Sequence, residues 1–453
     1  MPKAPPPKVQ PFQPFWTSPK GEATLYHGHV IDVLRQLPER FVQTVVTSPP
    51  YWGLRSYLPS DHNDKQLELG SEPSPDCGTK GQAQCGRCFV CSMVAVFRGV
   101  RRVLRDDGTV WLNLGDTFGG GKCGGGNVFS NGRTDGTSTR WGSKYAEGEE
   151  VDPSRESMRD RTSELKLPSG NLIGIPWRVA LALQEDGWIL RQDIIWSKPS
   201  PMPESVTNRC TKSHEYIFLR TKRMGYYYDA EAIKEPMTYG DDGRKPRQFQ
   251  WIRGSDPKDK RSEESQVDYI PTGNKRNKRS VWTISSESYS GAHYAVFPTK
   301  LVEPCILAGT SERGCCAQCG TPYERIVAKE QLKRKRPNDY VKRTGADGTG
   351  NSCANTVAGV DVRTLGWEPS CKCHNVDTSV GVKPCVVLDP FVGSGTSVAV
   401  AVELGRHGLG IDLSATYLQE NAIPRIEGSI YNALDRRFIK QGKGGKWFKK
   451  SLG

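Results

Sequence analysis

Four residues early in the chain, Ser48-Pro49-Pro50-Tyr51, could hold and activate a flat amino group. The two prolines stiffen the segment and carry no backbone N–H, so their carbonyl oxygens are left to face a ligand. A serine hydroxyl and a proline carbonyl can both accept hydrogen bonds from an amino group, which draws its nitrogen toward a nucleophilic, pyramidal geometry. The Tyr51 ring offers a stacking face for the base that carries the amine. A rigid proline turn after a strand is the alternative interpretation of the four residues.

A second candidate site lies near the C-terminus, in the turn Asp389-Pro390-Phe391-Val392-Gly393-Ser394-Gly395-Thr396. The apolar residues 386–388 before it predict a buried parallel strand, and the apolar stretch 397–404 behind it predicts a helix. Glycines in such a turn let the backbone approach a ligand closely. Residues 408–412 predict a further strand that ends in Asp412, a carboxylate placed to hold ribose hydroxyls. By itself, a glycine turn also fits a plain strand-to-helix connection.

In this order the two segments resemble the signatures of S-adenosylmethionine-dependent DNA amino-methyltransferases of the permuted β arrangement. There the catalytic Ser/Asp-Pro-Pro-Tyr comes first, the Phe-x-Gly-x-Gly turn last, and the target-recognition region between them. The resemblance runs from about residue 25 to residue 426 and includes the segments 171–177, 195–199 and 297–301. It implies an α/β fold of the Rossmann-like methyltransferase type: a mostly parallel sheet with helices on both faces, carrying a target-recognition module and two Cys-rich inserts.

The resemblance also implies residue roles and a mechanism. The exocyclic nitrogen of a flipped-out base in double-stranded DNA attacks the sulfonium methyl directly, without a covalent intermediate. The residues that would hold the base are Ser48, Pro49, Pro50 and Tyr51. Those that would contact S-adenosylmethionine are Asp389, Phe391, Gly393, Ser394, Gly395, Thr396 and Asp412, with Phe297, Pro298 and Leu301 closing the pocket. One departure is Gly28-His29, which stands where family members often have Gly-Asp.

Several alternatives stay open at this point. In the family, serine at the first position is commoner in cytosine-N4 enzymes and aspartate in adenine-N6 enzymes, with exceptions in both, and many similar enzymes are solitary and phage-borne. The target base therefore stays undecided. The same pocket could methylate RNA or a protein amide, or belong to an inactive DNA-binding relative. Pro304-Cys305 and Pro384-Cys385 resemble the nucleophile of carbon-5 cytosine methyltransferases, but both lie in apolar runs typical of buried thiols.

The chain contains 14 cysteines, and two groups of them have the spacing of metal knuckles. In a cytosolic protein such groups indicate metal sites or buried thiols rather than disulfides. The predicted structural zinc ligands are Cys77, Cys85, Cys88 and Cys91 in one group and Cys316, Cys319, Cys371 and Cys373 in the other. Cys315 and His374 are possible substitutes in the second group. For the first group, the competing interpretation is that Cys88 and Cys91 face the core at the start of a helix.

Around these sites, the hydrophobic pattern of the 453 residues predicts the elements that position them. Predicted strands cover 23–26, 44–47, 109–114, 188–196 and 214–220, and predicted helices cover 30–37, 176–184 and 415–426, with another after the first cysteine group. The predicted divisions are a Pro-rich tail (1–20), a catalytic half (21–229, with the cysteine insert 77–91 and a flexible loop 119–163), a target-recognition module (230–290), a cofactor-binding half (291–312 and 379–430), a zinc insert (313–378) and a basic tail (431–453).

The charge balance favours a polyanionic partner. There are 63 Lys and Arg residues against 50 Asp and Glu, a formal net charge of +13. Within the recognition module, the predicted DNA contacts are Arg244, Lys245, Arg247, Arg253, Lys275, Arg276, Lys278 and Arg279, although a solvated charge run is the alternative. No stretch reaches the about 18 apolar residues of a membrane span, so a cytoplasmic protein is expected. A homodimer would suit a palindromic site.

Overall fold

A computed structural model describes residues 13–53, 58, 62, 64–77, 85, 87–119, 167–168, 170–236, 275–287, 297–331, 360–373 and 381–440. Its strands in chain order are β1 Trp16–Thr17, β2 Ala23–His27, β3 Val42–Thr47, β4 Leu104–Leu114, β5 Ile189–Ser197, β6 His214–Thr221, β7 Glu235–Pro236, β8 Lys275–Arg276, β9 Val281–Thr283, β10 Cys315–Cys316, β11 Tyr323–Gln331, β12 Val360–Pro369, β13 Val382–Lys383, β14 Val386–Asp389 and β15 His407–Asp412.

The helices are α1 Val30–Gln36, α2 Phe89–Val103, α3 Ile175–Glu185, α4 Thr299–Gly309, α5 Thr396–Glu403, α6 Ala415–Tyr417 and α7 Ile423–Lys440. A π-helical turn, Leu418–Ala422, joins α6 to α7, so the closing helical segment predicted for 415–426 is interrupted and extends further than predicted. Short 3₁₀ turns form at Lys65–Leu67 and Glu231–Ile233.

The main sheet has nine strands in the order β1-β2-β15-β14-β3-β4-β6-β5-β9. Strands β2, β15, β14, β3 and β4 run parallel to one another, while β6 is antiparallel to both β4 and β5. Helices α1, α2 and α3 pack on one face of the sheet, and α4 and α5 pack on the other. Each face has its own cluster of buried apolar side chains. The predicted α/β class, with a mostly parallel sheet covered on both faces, is confirmed.

The strand polarity decides where functional side chains gather. The carboxyl ends of the parallel strands and the first residues of the antiparallel strand β6 meet at one edge of the sheet, where α/β folds place their ligands. Residues 48–51 follow β3, residues 390–395 follow β14, and Asp412 ends β15, so all three reach this edge.

Two boundaries predicted from the sequence differ in the structure. The tail assigned to 1–20 ends earlier, because Trp16–Thr17 pairs with β2 as an edge strand. The recognition module assigned to 230–290 is not wholly outside the sheet. Its residues Val281–Thr283 pair with β5 as β9, and Trp282 is buried against the core formed by Trp111 and α4. Most of the loop 119–163 and residues 237–274 of the module lie outside the described residues.

Candidate active site

The proline loop and the glycine loop lie side by side. Strands β3 and β14 are parallel neighbours, with Val45 opposite Leu388, so both strands deliver their following loops to the same edge. The Thr47 hydroxyl donates a 2.7 Å hydrogen bond to the Asp389 carboxylate across a sequence separation of 342 residues. The structure therefore brings together, at one edge of the sheet, the two segments that the sequence singled out.

Ser48 and Tyr51 belong to a half-buried polar cluster. The Ser48 hydroxyl lies 3.3 Å from the Tyr51 hydroxyl, which donates a 2.6 Å hydrogen bond to the Glu215 carboxylate. The Asn113 amide nitrogen lies 3.2 Å from Ser48 Oγ, 2.7 Å from Tyr51 Oη and 3.0 Å from Glu215 Oε2. Lys198 Nζ donates to the other Glu215 oxygen and sits 4.3 Å from the centre of the Trp196 ring.

Sequence reasoning did not assign roles to Asn113 or Glu215, because their meeting depends on strand register. Asn113 is the penultimate residue of β4 and Glu215 is the second residue of β6. The antiparallel pairing places Asn113 opposite Ile217, so both polar side chains reach the end of the sheet that carries Ser48. The available signal was a polar residue close to the apolar run of each strand, 110–112 in β4 and 217–219 in β6. Lys198 lies in the segment 195–199, which carries the family resemblance.

The proline loop is anchored at its C-terminal end by two consecutive aromatic side chains, those of Tyr51 and Trp52. The indole of Trp52, 1% exposed, donates a 2.8 Å hydrogen bond to the Glu72 carbonyl. Next to Asn113, Gly115 leaves the space that the Tyr51 ring fills, since a Cβ there would lie 2.5 Å from a ring carbon. Immediately before these two anchored residues, Pro49 is buried and Pro50 is half-buried. The Tyr51 side chain is therefore fixed by packing as well as by its hydroxyl.

Asp389 shapes the glycine loop from inside. Its buried carboxylate accepts hydrogen bonds from Thr47 Oγ1, from the Phe391 amide at 3.0 Å and from Ser397 Oγ. Burial raises the pKa of Asp389 to about 6, although these hydrogen bonds oppose the rise. Both Asp389 oxygens are therefore engaged in hydrogen bonds within the protein.

Asp412 lies at the tip of the neighbouring strand and is only partly buried. One oxygen accepts the Gly393 amide at 2.9 Å and the other accepts the Ser414 amide at 2.8 Å. Burial raises its pKa also. Gly393 and Gly395 have φ values of 49° and 81°, a region that favours glycine, and a Cβ on Gly395 would come within 3.0 Å of the Ala422 backbone.

These features fit S-adenosylmethionine. Each Asp412 oxygen keeps acceptor capacity for a ribose hydroxyl. Asp389 and Asp412 both have raised pKa values and lie at one edge of the sheet. A cationic ligand there would lower both pKa values, since a nearby positive charge favours the ionised form of a carboxyl group.

Other predicted cofactor residues surround this edge. Phe391 is half-buried, whereas Ser394 and Thr396 are buried with their hydroxyls 3.4 Å apart. Phe297 and Leu301 line a small pocket together with Thr47 and Asn113, and buried Pro298 caps the N-terminus of α4. At the departure from the family pattern, His29 is the N-cap residue of α1, with its Nδ1 3.5 Å from the Asp32 carboxylate, and the Gly28 amide donates to the Asp412 carbonyl.

The two cysteine groups predicted from sequence both converge. In each set, Cys77, Cys85, Cys88, Cys91 and Cys316, Cys319, Cys371, Cys373, the sulfur atoms lie within 4.8 Å of one another. In the second set, the antiparallel pairing of β11 with β12 closes the long sequence gap, because Tyr323 opposite Pro369 brings the flanking knuckles together. Cys315 instead directs its thiol at the Pro384 carbonyl, and His374 lies outside the described residues.

Local hydrogen bonds act on individual sulfurs of the first group. Burial disfavours the Cys85 thiolate, but hydrogen bonds from neighbouring groups, including the Arg87 and Cys88 amides, lower its pKa to about 7. Cys88 caps the N-terminus of α2 and accepts the Cys91 amide at 3.4 Å. The competing interpretation, in which Cys88 and Cys91 only face the core, accounts for their burial but not for the approach of Cys77, whose sulfur is 3.6 Å from that of Cys91. Cys305 and Cys385 are buried thiols, as predicted.

The predicted DNA contacts are only partly described. Arg244, Lys245, Arg247 and Arg253 lie outside the described residues, and for Lys275 only the backbone is described. Arg276 and Arg279 both donate to the Glu235 carboxylate, at 2.9 and 3.1 Å, and Lys278 Nζ lies 4.8 Å from the centre of the Trp282 ring. These three side chains form a basic strip beside β9.

Comparison with known proteins gives concordant matches. A family model described as DNA methylase matches residues 42–317 and 384–423. The chain is similar to the type II methyltransferase M.XycI of Xanthomonas campestris pv. cyanopsidis, with 37% identity over 412 residues that cover 91% of this chain and 90% of the relative. It is similar to the type II methyltransferase M.Cfr9I of Citrobacter freundii, with 32% identity over 413 residues and the same coverage. Among solved structures, the PvuII DNA methyltransferase (cytosine-N4-specific) is 14% identical, with a TM-score of 0.41 and coverage of 91% and 92%.

Proposed function

The chain belongs to the DNA methylase family, and from this premise we propose which of its residues carry out the reaction. It is a sequence-specific DNA methyltransferase that moves a methyl group from S-adenosylmethionine to an exocyclic amino group, adenine N6 or cytosine N4. The proposal is that the target base enters beside Ser48-Pro49-Pro50-Tyr51 while the methyl donor lies against the 389–396 loop and Asp412. The observation that supports it is the hydrogen bond between Thr47 and Asp389, which ties together the strand ends from which the two loops start.

Each group in the cleft has a distinct role in this proposal. S-adenosylmethionine supplies an electrophilic methyl group when bound. Ser48 Oγ and the Pro49 carbonyl accept hydrogen bonds from the two amino hydrogens, which directs the nitrogen lone pair toward that methyl group. Tyr51 stacks on the base, and its ring is held for this purpose by Gly115 and by the hydrogen bond to Glu215. Rate acceleration then comes from orientation and local electrostatics.

The finer assignments follow the same premise. We propose that the base is flipped out of duplex DNA, because its amino group is not otherwise reachable by Ser48. The 230–290 module, including Arg276, Lys278 and Arg279, is proposed to contact DNA, and a homodimer is proposed for a palindromic site. As the relatives' names indicate, a role as the modification enzyme of a restriction–modification system is proposed.

We also propose that each cysteine group binds a structural zinc ion. Four converging thiols with backbone N–H···S hydrogen bonds suit tetrahedral Zn²⁺, and a closed four-thiolate site leaves no position for substrate. One site ties the segment before α2 to the catalytic half, and the other closes the β11–β12 ribbon against the cofactor half.

The decisive experiment compares Ser48→Ala with a matched control. Purified proteins are incubated with tritium-labelled S-adenosylmethionine and either plasmid DNA or RNA, and label transfer is measured. Ser48→Ala is expected to lower the rate on DNA by about 10²-fold or more. Ser429→Ala, which removes a buried hydroxyl that donates to Glu403, should retain activity. Retention of the wild-type rate in Ser48→Ala, or transfer to RNA in preference to DNA, would refute the proposal.

A further inference from the structure

Glu215 gathers three donors from three different parts of the fold. Its carboxylate accepts the Tyr51 hydroxyl at 2.6 Å, the Asn113 amide at 3.0 Å and the Lys198 ammonium. The Glu215 side chain is only 15% exposed and that of Lys198 22%. A part-buried carboxylate this close to the catalytic loop needs an explanation beyond stability, since an apolar pair would fill the same space at little cost.

Amino-group methylation creates a demand that Ser48 cannot meet alone. When the exocyclic nitrogen forms its bond to the methyl carbon and the carbon–sulfur bond breaks, the nitrogen carries one proton too many. A serine hydroxyl can pass a proton on, but it cannot keep one at neutral pH. A proton acceptor connected to Ser48 would meet this demand without solvent in the site.

The structure contains such a connection. From Ser48 Oγ the next oxygen is that of Tyr51, 3.3 Å away, and from there Glu215 Oε2 is 2.6 Å away. The Asn113 amide nitrogen faces all three oxygens and can only donate. When its two hydrogens are directed at the two hydroxyl oxygens, the hydroxyl hydrogens are left to point along the chain toward Glu215.

We infer that Glu215 is the terminal proton acceptor of the methyl-transfer step and is reached through the hydroxyls of Ser48 and Tyr51. The amino group gives a proton to Ser48 Oγ, Ser48 gives its own to Tyr51 Oη, and Tyr51 gives its own to the Glu215 carboxylate. Both hydroxyls are restored, the methylated amine is neutral, and Glu215 is left protonated until solvent removes the proton. Glu215 is thus a positioning residue that acts through Tyr51, and the inference rests on the proposed function of Ser48.

The test is a double-mutant cycle on Tyr51 and Glu215. With enzyme in excess over plasmid DNA and labelled S-adenosylmethionine, single-turnover rates are measured for Glu215→Gln, Tyr51→Phe and the double variant. Each single variant is expected to lose about 10²-fold in rate. The double variant should be no slower than the slower single variant, because both changes break the same relay. Glu215→Asp, which keeps the carboxylate, should recover part of the rate.

Binding measurements separate a relay from mere support of the loop. The affinities of Glu215→Gln for S-adenosylmethionine and for DNA should stay within about twofold of wild type, whereas a collapsed loop would weaken both. Glu312→Gln, at an ion-paired carboxylate that is 64% exposed, is the matched control and should behave as wild type.

The relay is refuted if Glu215→Gln retains the wild-type rate, if the two losses multiply, or if binding falls as much as the rate. Should Glu215→Gln fail to fold, the rate of Tyr51→Phe alone decides: an unchanged rate refutes the relay. A wild-type protein that does not methylate DNA would refute the proposed function itself, whereas full activity in Glu215→Gln beside an inactive Ser48→Ala would remove only the relay.

Discussion

Replacing Asp389 by asparagine should change how the stability of the protein depends on pH. Asparagine has the same shape, its carbonyl oxygen can accept the hydrogen bonds from Thr47 and the Phe391 amide, and its amino group can donate to Ser397. All three contacts of the loop can therefore survive, and the main change is the loss of a buried ionisable group.

The magnitude follows from the raised pKa. Burial moves the pKa of Asp389 from its ordinary 3.8 to about 6, so the folded state favours the neutral carboxyl. A group with a raised pKa contributes its full stability below the unfolded value and loses it as the pH rises through the folded value. At about 1.4 kcal/mol per pH unit, ionisation of Asp389 costs ~3 kcal/mol well above pH 6 relative to low pH. Between pH 5 and pH 8 the expected change is about 1.5 kcal/mol.

The assay is urea unfolding of the wild type and of Asp389→Asn at a series of pH values from 5 to 8, followed by tryptophan fluorescence. The stability difference between the two proteins should move in favour of Asp389→Asn by about 1.5 kcal/mol across this range and level off at the alkaline end. A difference that is constant with pH, or that moves in favour of the wild type as the pH rises, would refute this account of the buried carboxylate.

Three further predictions concern the same cleft and the cysteine groups. Thr47→Val removes a 2.7 Å hydrogen bond to the Asp389 carboxylate, so chemical denaturation should show a loss of about 1–3 kcal/mol, and an unchanged unfolding free energy would show that this bond is not needed. Gly115→Ala places a Cβ 2.5 Å from the Tyr51 ring, so label transfer to DNA should fall sharply while the circular dichroism spectrum stays unchanged. The control is Gly428→Ala, where a Cβ meets open space. Equal activity of the two variants would contradict the packing of Tyr51 against Gly115. Elemental analysis of the wild-type protein, purified under reducing conditions, should find two zinc ions per chain, and Cys319→Ser should contain one. The control Cys210→Ser changes an exposed thiol outside both groups and should keep two. Zinc-free wild-type protein would contradict both proposed sites.

What the sequence predicted well are the features encoded locally. The strands before Ser48 and Asp389 are apolar runs followed by prolines or glycines, and both formed where the pattern placed them. The cysteine groups were recognisable because knuckle spacing is local, even though the second group is completed only by the pairing of β11 with β12.

What the sequence did not reveal depends on long-range register. Asn113 and Glu215 meet because β4 and β6 pair in one antiparallel register, which no local pattern specifies. The sequence pattern leaves Val281–Thr283 outside the sheet, because three residues beside a charged stretch give little periodic signal. In the structure these residues pair with β5 as an edge strand, and the Trp282 side chain is buried.

The most direct test of the central claim is mass spectrometry of nucleosides from DNA incubated with S-adenosylmethionine and either wild-type protein or Ser48→Ala. If the amino group of the base is methylated beside Ser48, the wild type should produce N6-methyladenine or N4-methylcytosine. Ser48→Ala should produce neither. The appearance of 5-methylcytosine, or of the same methylated base in equal yield with both proteins, would contradict it.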